Sequence, residues 1–583
     1  MIGKIKDIVQ DIITVELTID IDKQPNLINV HVIFEWDSKK VVGEITDMNK
    51  QEAKVMLLGE IIDNKFLPGI DKKPSFKSVV RIVTIEELAL VLGAQEEQQD
   101  TMYFGKSSVY DNYKINVPFN GFFNHHFSIL GNTGSGKSFA TARLIQNIFE
   151  KANHPKGANI FIFDTYGEYV NAFAGSKNPN IHFINYTTDP TARPEKILKI
   201  PVYLMKADDL AILLNADSIN QIPIIEKALK LVCIFKKSGD IALQYQNDIL
   251  ARAILDIMIS GEKASTMRDQ ITAILTSFST VDLNLDAKVF QIGYTRPLKQ
   301  CLYVDNTGKM PDMELVIDFI KKFITPGLEL PSPDGKTHYT LKDLETAMDF
   351  ALISEGVLSN EKVFEYGNVL SVRLHNIAGS DSRKYFDFNK FMERDEYIKL
   401  LLTDETGTDK CQLVNFNINY VTDQMAKAMT KILSKMIYES SAESKDRAAI
   451  AYHIIIEEAH RYVQNDNDAK LLGYNIFDRI AKEGRKYGVL LGLISQRPTE
   501  LSDTAISQCS NFIIFRTYHP RDLEYIKSMV PNVSTEIVRH LKTLQPGNCI
   551  VFGSAFKVPI ALRLDKPNPE PLSNNADIMK SWF

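Results

Sequence analysis

Gly131-Asn132-Thr133-Gly134-Ser135-Gly136-Lys137-Ser138 carries the residues best placed to do chemistry. Its spacing is Gly-x-x-x-x-Gly-Lys-Ser, which makes a loop that wraps phosphate groups. The three glycines let successive backbone N–H groups turn toward one anion. A helix that starts at the loop adds its positive dipole end. Lys137 is long enough to reach the β and γ phosphates of a nucleoside triphosphate, and the Ser138 hydroxyl suits Mg²⁺. The expected nucleotide-binding residues are Gly131, Asn132, Thr133, Gly134, Ser135, Gly136, Lys137, Ser138 and Phe139. The flanks fit this reading. A short apolar strand, His125 to Leu130, precedes the loop, and an amphipathic helix with Phe139, Leu144, Ile145, Ile148 and Phe149 follows it. ATP and Mg²⁺ are the expected cofactors.

A phosphate loop needs acids for the metal and for the attacking water. Ile454-Ile455-Ile456-Glu457-Glu458-Ala459-His460 reads as a buried strand delivering two carboxylates at its end. Glu457 is assigned to the Mg²⁺ side, through water, and Glu458 to water activation. An Asp is usual at the first of these positions, so Glu457 is a departure. The alternative is a surface pair that starts a helix. Asp164, at the end of the apolar run Asn159–Asp164, and Glu168, four residues on, are rivals for the base.

Two further groups qualify. A helix is expected over Ala469–Tyr487, ended by Gly488, with Lys482, Arg485 and Lys486 in its last turn. Cations there are favoured by the helix dipole whatever else they do. Arg485 also has the permanent charge and forked donors of an arginine finger. The strand Val489–Ile494 leads into Ser495-Gln496-Arg497-Pro498. Gln496 reads either as a neutral sensor of the γ-phosphate or as a turn residue before Pro498. Arg497 serves the same phosphates or a subunit contact.

These groups need a scaffold. Apolar runs alternating with helical spacing predict an α/β domain with a mostly parallel sheet covered on both faces. Its strands are expected at Asn159–Asp164, His182–Asn185, Val202–Leu204, Gln412–Asn417, His453–Ile456, Val489–Ile494, Asn511–Phe515 and Asn548–Phe552. The two halves of the site stand too far apart in sequence for one compact domain. The intervening helical patterns, Asp209–Leu214, Ile224–Phe235 and Tyr245–Ile259, therefore read as an insertion or lid. Short β-branched runs at Ile12–Ile19, Val30–Phe34, Val41–Ile45 and Val55–Ile62 predict a small N-terminal barrel or sandwich. The expected division is 1–95 barrel, 96–120 connector, 121–205 first part of the core, 206–400 mainly helical insertion, 401–565 second part of the core and 566–583 tail. The tail is read either as disordered or as an arm that docks its aromatic end on a neighbour.

The composition is that of a globular chain, and a net charge of −6 gives no overall basic signature, so nucleic acid would have to meet a local basic surface such as a pore. Candidate sets for such a surface are Arg461 with Lys470, and Arg373 with Arg383 and Lys384; each reads more readily as solvated surface. The five scattered cysteines form no C-x-x-C pair, which argues against a zinc site and a disulfide framework and fits a reducing cytoplasm. No apolar run approaches the ~20 residues of a membrane helix.

The motifs Gly-Asn-Thr-Gly-Ser-Gly-Lys-Ser, Asp-Thr-Tyr-Gly-Glu-Tyr, Ile-Glu-Glu-Ala-His, Lys-Glu-Gly-Arg-Lys-Tyr-Gly and Ser-Gln-Arg-Pro-Thr-Glu-Leu-Ser occur in the order seen in HerA-like ATPases. The chain resembles this family of the FtsK–HerA group well over 125–205 and 410–562. It resembles it loosely over 206–400, and only in type and position at the N-terminal barrel. The resemblance implies a RecA-like P-loop core with a helical insertion, a homohexameric ring and sites at subunit boundaries. It gives Lys137 and Ser138 to nucleotide, Glu458 to catalysis, Gln496 to sensing and Arg485 to a finger supplied by the neighbour. It further implies double-stranded DNA in a central pore, and a nuclease, Sir2-type or other effector docked on the barrel side. The expected function is an ATP-driven DNA translocase or helicase. The alternatives are an ATP-regulated ring scaffold that activates an effector, and a secretion-type pump.

Overall fold

A computed structural model describes residues 1–20, 27–237, 239–355, 361–529, 540–573 and 578–583. The N-terminal part is β1 (Gly3–Val9), β2 (Ile12–Leu17), β3 (His31–Trp36), β4 (Lys39–Met48), β5 (Glu52–Ile62), β6 (Lys65–Pro68) and β7 (Val79–Ile82). Six of them close in the order β2-β1-β7-β3-β4-β5, with β5 pairing back to β2, and β6 flanks β5. Closure leaves no edge among the six. Alternation fills the interior: Ile13, Val15, Val32, Phe34, Ala53 and Val55 are fully buried. The expected barrel is present.

The core strands follow: β8 (Thr101–Ser107), β9 (Lys114–Pro118), β10 (His126–Leu130), β11 (Ile160–Asp164) and β12 (Phe183–Thr187). A hairpin in the helical region, β13 (Lys288–Gln291) and β14 (Tyr294–Pro297), comes next. The core resumes with β15 (Leu413–Asn417), β16 (Tyr452–Ile456), β17 (Val489–Ser495), β18 (Cys509–Ile514), β19 (Asn548–Gly553) and β20 (Ile560–Arg563). One sheet runs β12-β15-β11-β16-β17-β10-β18-β19-β20-β8-β9. From β12 to β18 every pairing is parallel; from β18 to β9 every pairing is antiparallel. Alternate residues of one strand serve the two faces. Phe161 and Phe163 join the core on the side of the helical insertion, while Ile160 and Ile162 join the side of the helix Lys137–Glu150. That is why these strands read as unbroken apolar runs.

Four expectations change. Residues 96–120 are not a bare connector, because β8 and β9 extend the core sheet through β20. Met102, Phe104, Ile115 and Val117 alternate with polar residues and are buried, a pattern hidden by the polar residues around it. Val202–Leu204 is a single 3₁₀ turn after Pro201 rather than a strand. The helix expected over Ala469–Tyr487 is broken: Asp468–Leu472 ends at Gly473 (φ 82°), Asn475 caps Ile476–Glu483, and Gly484–Tyr487 is 3₁₀, closed by Gly488. The start of the tail lies against its own core, with Gln146 bonded to the Asn568 N–H and the Pro569 carbonyl. Residues 574–577 lie outside the described residues; beyond them Trp582 and Phe583 are exposed.

The helix Asp423–Glu443 ties the insertion to the core. Successive lysines on one face meet acids from both sides: Lys427 and Lys431 meet Asp466, Lys431 also meets Asp468, and Lys435 meets Asp208 and Asp209. The polar loop 464–468 is therefore held down by this helix.

Candidate functional site

Strand β10 ends at Leu130 between β17 and β18, and the phosphate loop leaves from that end. Gly131 has φ 153° and lies where a Cβ would stand 2.6 Å from the Phe515 Cβ, so only glycine fits. Gly136, at φ 113°, is the left-handed residue from which the helix Lys137–Glu150 starts. The loop is anchored at three points: Gly131 N–H to the Ser495 carbonyl (3.2 Å), Asn132 N–H to the Arg516 carbonyl (3.0 Å), and Gly547 N–H to the Ser135 carbonyl (3.2 Å). Thr133 and Gly134 form its exposed crest, and Phe139 is half-buried one turn into the helix. Lys137 Nζ donates to the Asn132 carbonyl at 3.1 Å, and burial lowers its pKa against the pull of Glu458, Glu457 and Glu168.

The acids arrive from the ends of neighbouring strands. Glu457 follows β16 and is 4% exposed. Its Oε1 accepts from Ser138 Oγ at 3.3 Å and Tyr169 OH at 3.4 Å, while Oε2 is buried without a hydrogen bond. Burial, then the charges of Asp164, Glu168 and Glu458, push this carboxyl well above the usual range. Glu458 takes a left-handed backbone, φ 46° and ψ 46°, and its carboxylate lies beside Gln496 and His460 rather than Ser138 and Tyr169. Burial raises its pKa as well, with Lys137 opposing. The two adjacent carboxylates thus have different partners.

Asp164 is already engaged. Its Oδ1 accepts from the N–H groups of Gly167 (2.7 Å) and Glu168 (3.0 Å), and its Oδ2 from Tyr169 N–H and Asn415 Nδ2 (both 3.1 Å). It is fully buried and holds the turn that carries Glu168. Glu168 is half-buried with an unbonded Oε2 and faces Lys137. Three carboxyl groups, Glu458, Glu457 and Glu168, act on the one lysine, and Asp164 lies behind them against Glu457 and Glu168. Ser138 Oγ, Glu457 and Glu168 are hard oxygen donors of the kind Mg²⁺ takes, and the orphaned carboxylate oxygens fit such an ion. Among the described residues no cluster of three His, Cys, Asp or Glu side chains could hold a metal. Mg²⁺ in nucleotide sites uses one or two protein ligands and completes its shell with phosphate and water.

Gln496, just past β17, joins the loop to the acid. Its Oε1 accepts from Thr133 Oγ1, and its Nε2 lies 3.4 Å from Glu458 Oε1. Arg497 is exposed and pairs with Glu500 at 2.7 Å. Arg485 is not in this cluster. It is exposed just before β17 and acts on His125, whose pKa falls mainly by burial and then by the Arg485 charge. His125 precedes β10, and the phosphate loop follows it, so the length of a five-residue strand, roughly 16 Å, separates the two.

Sequence reasoning missed Arg516 and His460. Arg516 follows β18, its carbonyl holds Asn132, its Nε is buried without a partner, and its guanidinium lies 5.1 Å from the Tyr518 ring. An Arg directly after an apolar strand was the available signal. His460 lies against Glu458 and was visible only as the last letter of the acid motif. The candidate basic residues are engaged: Arg461 with Asp423, Arg373 with the Leu214 and Asn215 carbonyls, Arg383 with Asp387, and Lys384 with the Pro190 carbonyl. Lys470 lies on the short helix Asp468–Leu472.

The family described as the central domain of helicase HerA matches residues 102–295, from β8 through the phosphate loop into the insertion. The chain is an ATPase that is similar to the HerA helicases. The DNA double-strand break repair helicase HerA of Pyrococcus furiosus is 24% identical over 527 residues, 90% of this chain and 79% of that one. The probable DNA double-strand break repair helicase HerA of Methanocaldococcus jannaschii is 23% identical over 565 residues, 94% of this chain and 92% of that one. Among solved structures, VirB4 of Thermoanaerobacter pseudethanolicus aligns with 81% of this chain and 98% of its own, at 14% identity and a TM-score of 0.41. No described helix is long and apolar enough to cross a membrane.

Proposed function

We propose that this HerA-like ATPase is the subunit of a hexameric ring that uses ATP hydrolysis to move along double-stranded DNA, with a nuclease or other effector docked on the barrel side. The observation that carries the reading is the cluster formed by Lys137, Ser138, Glu457, Glu458 and Gln496 at one end of the parallel sheet, in a chain aligned over most of its length with HerA helicases. In this reading the loop N–H groups and Lys137 hold the β and γ phosphates, and Lys137 leaves the Asn132 carbonyl to do so. Mg²⁺, held by Ser138 and by Glu457 through water, neutralises phosphate charge when bound. Glu458 takes the proton of the attacking water. Gln496, bonded to both the loop and Glu458, reports whether the γ-phosphate is present. Arg485 stands too far from its own chain's loop to touch those phosphates; a neighbouring copy's site is where it acts.

The test is ATPase rate against duplex DNA. Contacts to phosphates make stimulation independent of sequence and weaker as salt rises. Duplex DNA should raise the rate at low salt, and the effect should fade as salt is increased. Equal rates with and without duplex DNA, with any barrel-side partner present, would favour the scaffold alternative.

A further inference from the structure

His460 is 8% exposed and follows the acid pair by two residues, on the 3₁₀ turn Ala459–Arg461. Gln464 Nε2 donates to its backbone carbonyl at 2.6 Å and fixes that turn. Its Nδ1 stands between two oxygens: Ser495 Oγ at 3.2 Å and Glu458 Oε2 at 3.3 Å. Ser495 is the last residue of β17, fully buried, and its Oγ already accepts from the Arg497 N–H at 3.0 Å. Burial holds the imidazole neutral, with its pKa lowered to about 4. A neutral ring has one N–H to place.

The two oxygens of Glu458 have different surroundings. Oε1 faces Gln496 Nε2, on the side of the phosphate loop. Oε2 is buried with no hydrogen bond of good geometry, and the nearby donor atom is His460 Nδ1. An ionised carboxylate accepts at both oxygens, and leaving one buried and unbonded is costly. A small rotation of the carboxyl brings Oε2 into line with an Nδ1–H. The backbone at Glu458 is left-handed, so its direction depends on such side-chain restraints.

We propose that His460 is the positioning residue for Glu458: its single Nδ1–H is shared between Glu458 Oε2 and Ser495 Oγ, which leaves Oε1 to water and Gln496 and ties the imidazole to the strand that carries Gln496. The inference rests on Glu458 being the base. His460 does not touch the nucleotide or the water. It sets the carboxylate's aim and couples it to the sensor strand. Misplacing a catalytic group by about 1 Å costs on the order of 10²-fold in rate.

The variants separate a positioned donor from simple packing. An Asn side chain offers its N–H₂ near the place of Nδ1, whereas a Gln offers it near the place of Nε2. His460→Leu keeps bulk and removes both donors. The ATPase kcat should fall about 10²-fold in His460→Leu and His460→Gln, with the KM for ATP within about twofold, and His460→Asn should recover most of kcat. In the Glu458→Gln background, His460→Leu should add no further loss, because the group it positions is gone. Nucleotide binding and thermal midpoint, measured alongside, report any variant that does not fold. Equal activity of the Asn and Gln variants, a full-strength Leu variant, or an additive loss in the double variant overturns the inference. If Glu458→Gln itself hydrolyses ATP normally, the assignment of the base falls first, and the result is distinguishable from failure at His460.

Discussion

At the residue scale, charge is what distinguishes the site. Glu457 is buried beside Asp164, Glu168 and Glu458 and shares the pull of Lys137 with Glu458 and Glu168. A carboxyl whose pKa is raised on folding costs stability in full above that raised value, and the cost shrinks as pH falls below it and is gone only below the ordinary carboxylate range of the unfolded chain. Glu457→Gln keeps the shape and removes the charge. It should therefore raise the thermal midpoint of the nucleotide-free protein by about 1 °C at pH 8, for a gain on the order of 1 kcal/mol spread over a chain of this length. The gain should shrink at pH 5, while hydrolysis falls. A variant less stable than the parent at pH 8 would mean that Glu457 has a favourable partner. Most of these residues were legible in the sequence because their chemistry is tied to spacing: four residues between glycines, and two acids after three isoleucines. His460 and Arg516 were not, since nothing local says that an imidazole or a guanidinium will lie beside a group brought in by another strand.

At the element scale, the parallel order β16-β17-β10 explains how segments distant in sequence meet. It puts the ends carrying Glu458, Gln496 and the phosphate loop side by side. The apolar runs were readable because both faces of the sheet are covered. The strands β8 and β9 escaped notice because their alternation sits among polar turns, and the broken helix before β17 did because apolar periodicity continues through Gly473 and Asn475. That break places Arg485 on a separate 3₁₀ turn beside His125. If it serves the next subunit's phosphates, Arg485→Ala leaves nucleotide binding intact and lowers hydrolysis by about 10³–10⁵-fold, as fingers do. Lys137→Ala and Arg485→Ala subunits, each inactive alone, should regain part of the activity when mixed, since some interfaces then pair both intact residues. A mixture that exchanges subunits and stays inactive leaves two readings, that Arg485 does not serve the neighbour's phosphates or that hydrolysis needs every interface intact. Dilution of the parent with Arg485→Ala distinguishes them by a linear or a steep fall.

At the scale of the whole molecule, a closed barrel, a split ATPase core and a helical insertion are joined by packing and ion pairs, with the Asp423–Glu443 helix linking the loop after the acid strand to the insertion. The charge of −6 gives no overall basic signature, the candidate residues Arg461, Arg373, Arg383 and Lys384 are engaged within the chain, and a surface shared between subunits is not legible in one chain. The reading that hydrolysis moves duplex DNA is tested most directly by displacement of a third strand from a triplex-bearing duplex. The account predicts displacement that needs ATP, slows as salt rises, and is lost in Glu458→Gln although that variant still binds ATP and DNA. Hydrolysis stimulated by duplex DNA with the third strand left in place, at every length of duplex tried, would contradict it.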